Sequence, residues 1–237
     1  MLKNIEKYYS PNFNPAKRSK NKIKFIIIHY TGMKKEKHAI ERLTNIQSEV
    51  SCHYFIQSNG KIIQMIPELY IAWHAGKSKW KKFINLNKNS IGIELVNKGH
   101  QFGYQNFSKL QIKSLIWLCK RLKKKYSIKT ENFLGHSDIA PLRKIDPGEK
   151  FPWKVLNKHK LGKWYRFKRI KNNVDLKNIK KTFFKNLRKI GYRYFSIKKR
   201  SIHDKRVVYC FQQHYLPNNL SGIIDKKTLK ISVFLTS

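Results

Sequence analysis

The sequence predicts an α/β (α+β) fold, a mixed β-sheet flanked by helices, followed by a small C-terminal domain of three helices. Three observations carry this reading. Two short, β-branched apolar runs, KFIIIHYT (24–31) and SIGIELVN (90–97), have the length and composition of buried strands. Segments with apolar residues at helical spacing lie between and after them. Beyond Trp164 the strand signals stop and helical spacing takes over.

Residues 1–22 are polar, contain Pro11 and Pro15, and read as an N-terminal arm. Residues 34–48 carry charged and apolar positions at helical spacing. SCHYFIQSNGKIIQMIP (51–67) reads as a hairpin around Ser58-Asn59-Gly60, because Asn-Gly supplies the positive φ angles that a tight turn needs. Ser108 is placed to cap a helix over KLQIKSLIWLCKRLKKKY, with Leu110, Leu115, Leu118 and Leu122 expected on one stripe. Residues 135–153 read as a loop. Helices are expected over 175–190, 201–215 and 225–235, the last capped by Asp225, with Gly191 and Ser221-Gly222 between them. The boundary falls near residue 165, giving a domain over 23–164 and a helical domain over 165–237.

The 237 residues carry 52 Lys+Arg against 13 Asp+Glu, a formal net charge of +39. Such a field attracts any polyanion. The lysines are spread along the whole chain among many Asn and Ile residues, as AT-rich codons would also give, so charge names no partner. No RNP, zinc-finger or helix-turn-helix signature is present, and no specific nucleic-acid partner is expected. The three cysteines, Cys52, Cys119 and Cys210, stand far apart without a CxxC pair, which suits buried apolar residues better than a disulfide framework. No apolar run is long enough for a transmembrane helix. The N-terminus has no apolar signal region, so a cytoplasmic location is expected, with the cell envelope or periplasm as the alternative. The chain is expected to act as a monomer.

His29 sits at the end of a buried strand, where a side chain emerges at the rim of a sheet. His136 and Asp146 lie 146 − 136 = 10 positions apart in a loop held by Gly135, Pro141, Pro147 and Gly148. Two imidazoles and one carboxylate suit Zn2+, and three protein ligands leave a fourth position for water. Each residue alone has a plainer reading, as a strand-end histidine, a loop histidine and a turn-forming Asp before Pro.

The blocks IIIHYT, WHAG (73–76), SIGIELVN and GHSDIAPLRKIDPG occur in the order found in the type 2 N-acetylmuramoyl-L-alanine amidases. The sequence resembles that family, which includes the peptidoglycan recognition proteins and phage amidases, over about residues 23–160. The resemblance implies zinc ligation by His29, His136 and Asp146. It implies that Glu94 is the general base and that Lys144 stabilises the oxyanion. It also implies that the bond cut joins N-acetylmuramic acid to L-alanine in peptidoglycan or muropeptides. His53, Trp73 and His74 are expected to line the cleft and contact substrate, with packing as the alternative for His53. Tyr30 follows the first ligand and is not counted among the ligands.

The segment VVYCFQQHYLPNNLSGIIDKKTL (207–229) resembles the three-helix peptidoglycan-binding module often joined to these amidases, on Phe211-Gln212, Gly222, Asp225 and Thr228. Its Ser221-Gly222 replaces the usual Asp-Gly. Because the ligand set lies before residue 150, the chemistry is expected not to need this tail. A catalytically inactive protein that holds peptidoglycan or a muropeptide is the alternative function.

Overall fold

A computed structural model describes residues 4–165 and 178–236. The strands are β1 (Ile5–Lys7), β2 (Phe13–Asn14), β3 (Phe25–Tyr30), β4 (Tyr54–Ile56), β5 (Ile62–Gln64), β6 (Ile71–Ala72), β7 (Lys79–Trp80), β8 (Phe83–Ile84), β9 (Ser90–Leu95) and β10 (Phe133–Gly135). The helices are α1 (Glu36–Thr44), α2 (Lys109–Tyr126), α3 (His136–Ile139), α4 (Trp153–Lys158), α5 (Ile179–Ile190), α6 (Asp204–Tyr215) and α7 (Lys226–Phe234). The main sheet has the order β1-β5-β4-β9-β3-β10, with only the β4–β5 hairpin antiparallel. Gly60 sits in the hairpin turn with φ +83, a conformation that favours glycine.

Strand β3 is apolar over Phe25, Ile26, Ile27 and Ile28 because both faces of the sheet are covered there, whereas β9 alternates Ile91, Ile93 and Leu95 with Ser90, Gly92 and Glu94. Ile26, Ile28, Ile91, Ile93 and Leu95 face one cluster with Leu115, Leu118 and Leu122 of α2 and Leu156 of α4. Phe25 and Ile27 of β3 and Leu134 of β10 face a second cluster, which holds Phe183, Leu187, Val207, Phe211 and Leu229 of the C-terminal helices. The fold is therefore a sheet between two helical layers. The division placed at residue 165 runs through a shared core, so the tail is not a detached module.

Three further details differ from expectation. The segment read as an arm is folded onto the domain: β1 pairs in parallel with β5, β2 pairs with β6, and Arg18 is buried. Its own sequence could not show this, because short polar edge strands are held by tertiary contacts. Leu110 is 56% exposed and lies off the stripe of α2. At ~100° per residue it stands about 140° from Leu115, five positions on. The loop over 135–153 contains the short helix α3, and its last residue, Trp153, begins α4.

Other expectations agree with the structure. Ser108 and Gln111 form a capping box on α2, and the Asp225 side chain accepts from the Thr228 N–H at the start of α7. The expected helix over 175–190 is seen from Ile179, and its positions 175–177 lie outside the described residues. All three cysteines are buried and free. No helix among the described residues is long and apolar enough to cross a membrane.

Candidate metal centre and active site

The cleft opens at the carboxyl ends of the parallel strands, where open α/β sheets place their ligands. His29 is near the end of β3, Glu94 near the end of β9, and His136 directly follows β10. His29 and Glu94 are in register, so both project from the sheet face that also carries Phe25 and Ile27. The cleft has a volume of about 640 Å³, and His29, Trp73, His74, Glu94, Lys144 and Asp146 are among its lining residues.

Three atoms converge at its floor. His29 Nδ1 lies 3.0 Å from His136 Nδ1 and 2.9 Å from Asp146 Oδ2, and His136 Nδ1 lies 3.1 Å from the same carboxylate oxygen. The hydrogen bonds behind them assign the protons. The Ser90 hydroxyl donates to the Leu86 carbonyl, which leaves its oxygen to accept from His74 Nε2–H at 3.2 Å. His74 Nδ1 then accepts from His29 Nε2–H at 3.0 Å. His136 Nε2–H donates to the Ala75 carbonyl at 3.1 Å. Both imidazoles, when neutral, therefore turn an unprotonated Nδ1 toward Asp146.

Burial, followed by the neighbouring His136, pushes the His29 pKa down to about 4, so its ring is neutral near pH 7. Burial opposes ionisation of Asp146, but His136 and His29 outweigh it and hold its carboxyl far below the usual range. With both imidazoles neutral, the three lone-pair donors repel one another unless a proton or a metal cation lies between them. Their spacing is close to the ~3.3 Å edge expected of a tetrahedron with Zn–N bonds of about 2.0–2.1 Å. The residues fit zinc.

Glu94 stands beside this set. Its Oε2 is buried with no hydrogen-bond partner among the described residues. Burial and then the nearby Asp146 raise its pKa to about 8, with Lys144 opposing. Trp73 and His74 line the cleft as expected, but His53 does not. It is 0% exposed behind His74, accepts from the Gly92 N–H through Nδ1 at 3.0 Å, and has Nε2 3.1 Å from the Tyr70 carbonyl. His74 lines the cleft in front of it, with ring centroids 5.7 Å apart, a tertiary contact that the sequence does not show.

Several lining residues went unread: Arg42, Lys98, His100, Phe102 and Arg143. Among 52 basic residues the cationic ones carry no distinguishing signal. Gly99 beside His100 was the available hint of a tight loop, and its φ is +71. In the tail, Gln212 is buried and its amide bonds Thr228 Oγ1 at 3.3 Å and the Ile223 carbonyl at 2.9 Å, while its oxygen accepts from the Gly222 N–H. The motif residues there join the helices to one another.

Such a donor set, with an unpartnered acid and a lysine beside it, is that of hydrolysis assisted by a divalent metal. The family model described as N-acetylmuramoyl-L-alanine amidase matches residues 19–149, more than half of the chain, and the chain belongs to that family. It is 34% identical over 250 residues to N-acetylmuramoyl-L-alanine amidase AmiD of Escherichia coli, covering 96% of this chain and 87% of AmiD. The structure of AmiD in complex with the substrate anhydro-N-acetylmuramic acid-L-Ala-D-γ-Glu-L-Lys matches with a TM-score of 0.79 at 33% identity, over 94% of this chain and 91% of that one. AMPDH3 of Pseudomonas aeruginosa, in complex with anhydromuramic pentapeptide, matches with a TM-score of 0.79 at 29% identity, over 93% and 92% of the two chains. The 1,6-anhydro-N-acetylmuramyl-L-alanine amidase AmpD of Haemophilus influenzae is 30% identical over 171 residues, 65% of this chain and 90% of its own.

Proposed function

We propose that the chain is a zinc-dependent amidase that hydrolyses the bond between the lactyl carbonyl of N-acetylmuramic acid and the nitrogen of L-alanine, in peptidoglycan or muropeptides. The observation that carries the zinc dependence is the convergence of His29 Nδ1, His136 Nδ1 and Asp146 Oδ2 as three acceptors within 3.1 Å of one another. Zinc held by them would polarise the scissile carbonyl and lower the pKa of an attacking water toward ~7.

The chain's own residues supply the rest. Glu94 Oε2 has no competing partner among the described residues, so it would take the proton of the attacking water and deliver it to the departing alanine nitrogen. Its raised pKa suits a group that must gain and lose a proton near neutrality. Lys144 would bear part of the oxyanion charge, a contribution of about 2.7–4 kcal/mol for one such donor. His74 orients His29 through the Nε2–Nδ1 hydrogen bond. Trp73 offers an aromatic face to the sugar. The C-terminal helices add attachment to polymeric wall, on the resemblance of their Gln212 and Gly222 turn to a peptidoglycan-binding module.

Metal analysis of the purified full chain tests this reading. About one zinc per chain is expected, lost in His136→Ala. Zinc retained at full stoichiometry by His136→Ala would overturn the ligand set.

A further inference from the structure

We infer that helix α6 is a positioning element of the active site, holding from behind the loop that carries His136, Lys144 and Asp146. This rests on the amidase reading above and extends it to a part of the chain that the chemistry was not expected to need.

Residues 206, 210, 213 and 214 are spaced by four, three and one, and share one face of α6. Each contacts the 136–149 loop. Arg206 donates from Nε to the Pro141 carbonyl at 3.1 Å and from Nη2 to the Lys144 carbonyl at 3.4 Å. The Cys210 thiol points at the same Pro141 carbonyl at 3.5 Å. Gln213 donates to Glu149 Oε2 at 3.3 Å, and that carboxylate also binds His100 Nε2 at 3.0 Å. His100 in turn bonds the hydroxyl of Tyr30, the neighbour of His29, at 2.9 Å.

The tightest connection is to Asp138, two residues after the ligand His136. Asp138 is buried; its Oδ2 accepts from His214 Nδ1–H and from the Gly135 N–H, each at 2.7 Å, and its Oδ1 accepts from the Tyr192 hydroxyl. His214 is fixed in turn by stacking between Trp153 and Tyr215, with ring centroids 4.0 Å away on either side. Two of the three donors on this carboxylate therefore come from the tail. A buried carboxylate stripped of such donors reorients or drags its backbone, because burying it unpaired is costly. The one-turn helix α3 that starts at His136 would move with it.

The consequence concerns turnover rather than capture of the wall. Displacing oriented groups by a fraction of an ångström lowers kcat while leaving ground-state binding in place. The test uses the full chain with Tyr192→Phe, which keeps the ring and removes the donor, and with Arg206→Ala, which removes a partly exposed side chain. Both are loaded with zinc for kinetics on a soluble muropeptide and with Co2+ for its visible spectrum. We expect kcat to fall about tenfold in each, with KM within twofold of the parent. The cobalt bands should shift, while thermal unfolding stays cooperative and above the assay temperature. Pelleting with insoluble peptidoglycan should match the parent. Unchanged kcat and cobalt bands in Arg206→Ala would overturn the inference, even if Tyr192→Phe failed to fold. A rise in KM at constant kcat would also overturn it, since α6 would then be touching substrate. A parent chain that neither binds metal nor cleaves fails the amidase reading instead.

Discussion

His29 and Glu94 stand opposite each other in register on the parallel strands β3 and β9. Neighbouring strands are ~4.8 Å apart, so the proposed metal ligand and the proposed base are held at a spacing set by backbone hydrogen bonds. On the proposed function this would divide the labour, with one strand end holding the metal and the next moving the proton. Glu94→Gln preserves shape and removes only the base. It should keep about one zinc per chain and lose kcat by roughly 10²–10⁴-fold. Steady-state kinetics beside metal analysis check this, and a variant with normal kcat would make the carboxylate structural.

The same residue makes the metal-free protein sensitive to pH. Burial, then Asp146, raises the folded pKa of Glu94 from 4.5 to about 8. Between these values the folded state holds more protons than the unfolded chain, so this group's contribution to stability falls as pH rises. Glu94→Gln removes that loss. Denaturant unfolding of the metal-free parent and variant should show the variant gaining relative stability from about pH 5 to about pH 8.5. A difference that stays flat across that window would place Glu94 in contact with water.

Gly92 makes room for His74. A Cβ at position 92 would lie 2.4 Å from His74 Cγ and 2.6 Å from Cδ2. Gly92→Ala must therefore displace the ring that accepts from His29 Nε2–H. We expect a loss of zinc affinity and of kcat on the order of 10–100-fold, as for other groups that orient a metal ligand. Chelator competition measures the first. An unchanged zinc affinity would mean that His29 holds its orientation without His74.

Removing residues 166–237 should unfold or precipitate the remainder, rather than leave a free catalytic domain. Phe25, Ile27, Leu134 and Ile139 lose their cover in the shared cluster. Each such side chain contributes about 1.5–3 kcal/mol when buried, against a total stability of about 5–15 kcal/mol. Circular dichroism of the truncated chain decides the matter. A soluble, cooperatively folded and active fragment would show that the sheet tolerates an open face.

The parts readable from sequence were those whose signal is local. FIIIHY announces a strand by its continuous apolar run and SIGIEL by the Ile91, Ile93 and Leu95 that it turns to one face, and the Ser108 and Asp225 caps mark helix starts within a single turn of chain. The ordered motifs brought His29, Glu94, His136, Lys144 and Asp146 forward, and the structure lines one cleft with all five. The remainder depends on what lies across space. Ile5–Lys7 is a strand only because β5 offers an edge. His53 packs against His74, with ring centroids 5.7 Å apart, and is absent from the cleft lining because His74 takes that place. The amphipathic faces of α5, α6 and α7 could be read, but not that the far face of the sheet would cover them.

The most direct measurement is product analysis after the zinc-loaded chain acts on a soluble muropeptide of known structure. The account predicts an intact N-acetylmuramic acid with a free lactyl carboxylate and a peptide bearing a new amino group on L-alanine. It also predicts that the reaction stops with a chelator and returns with Zn2+. Cleavage at any other bond, or activity untouched by chelation, would contradict it.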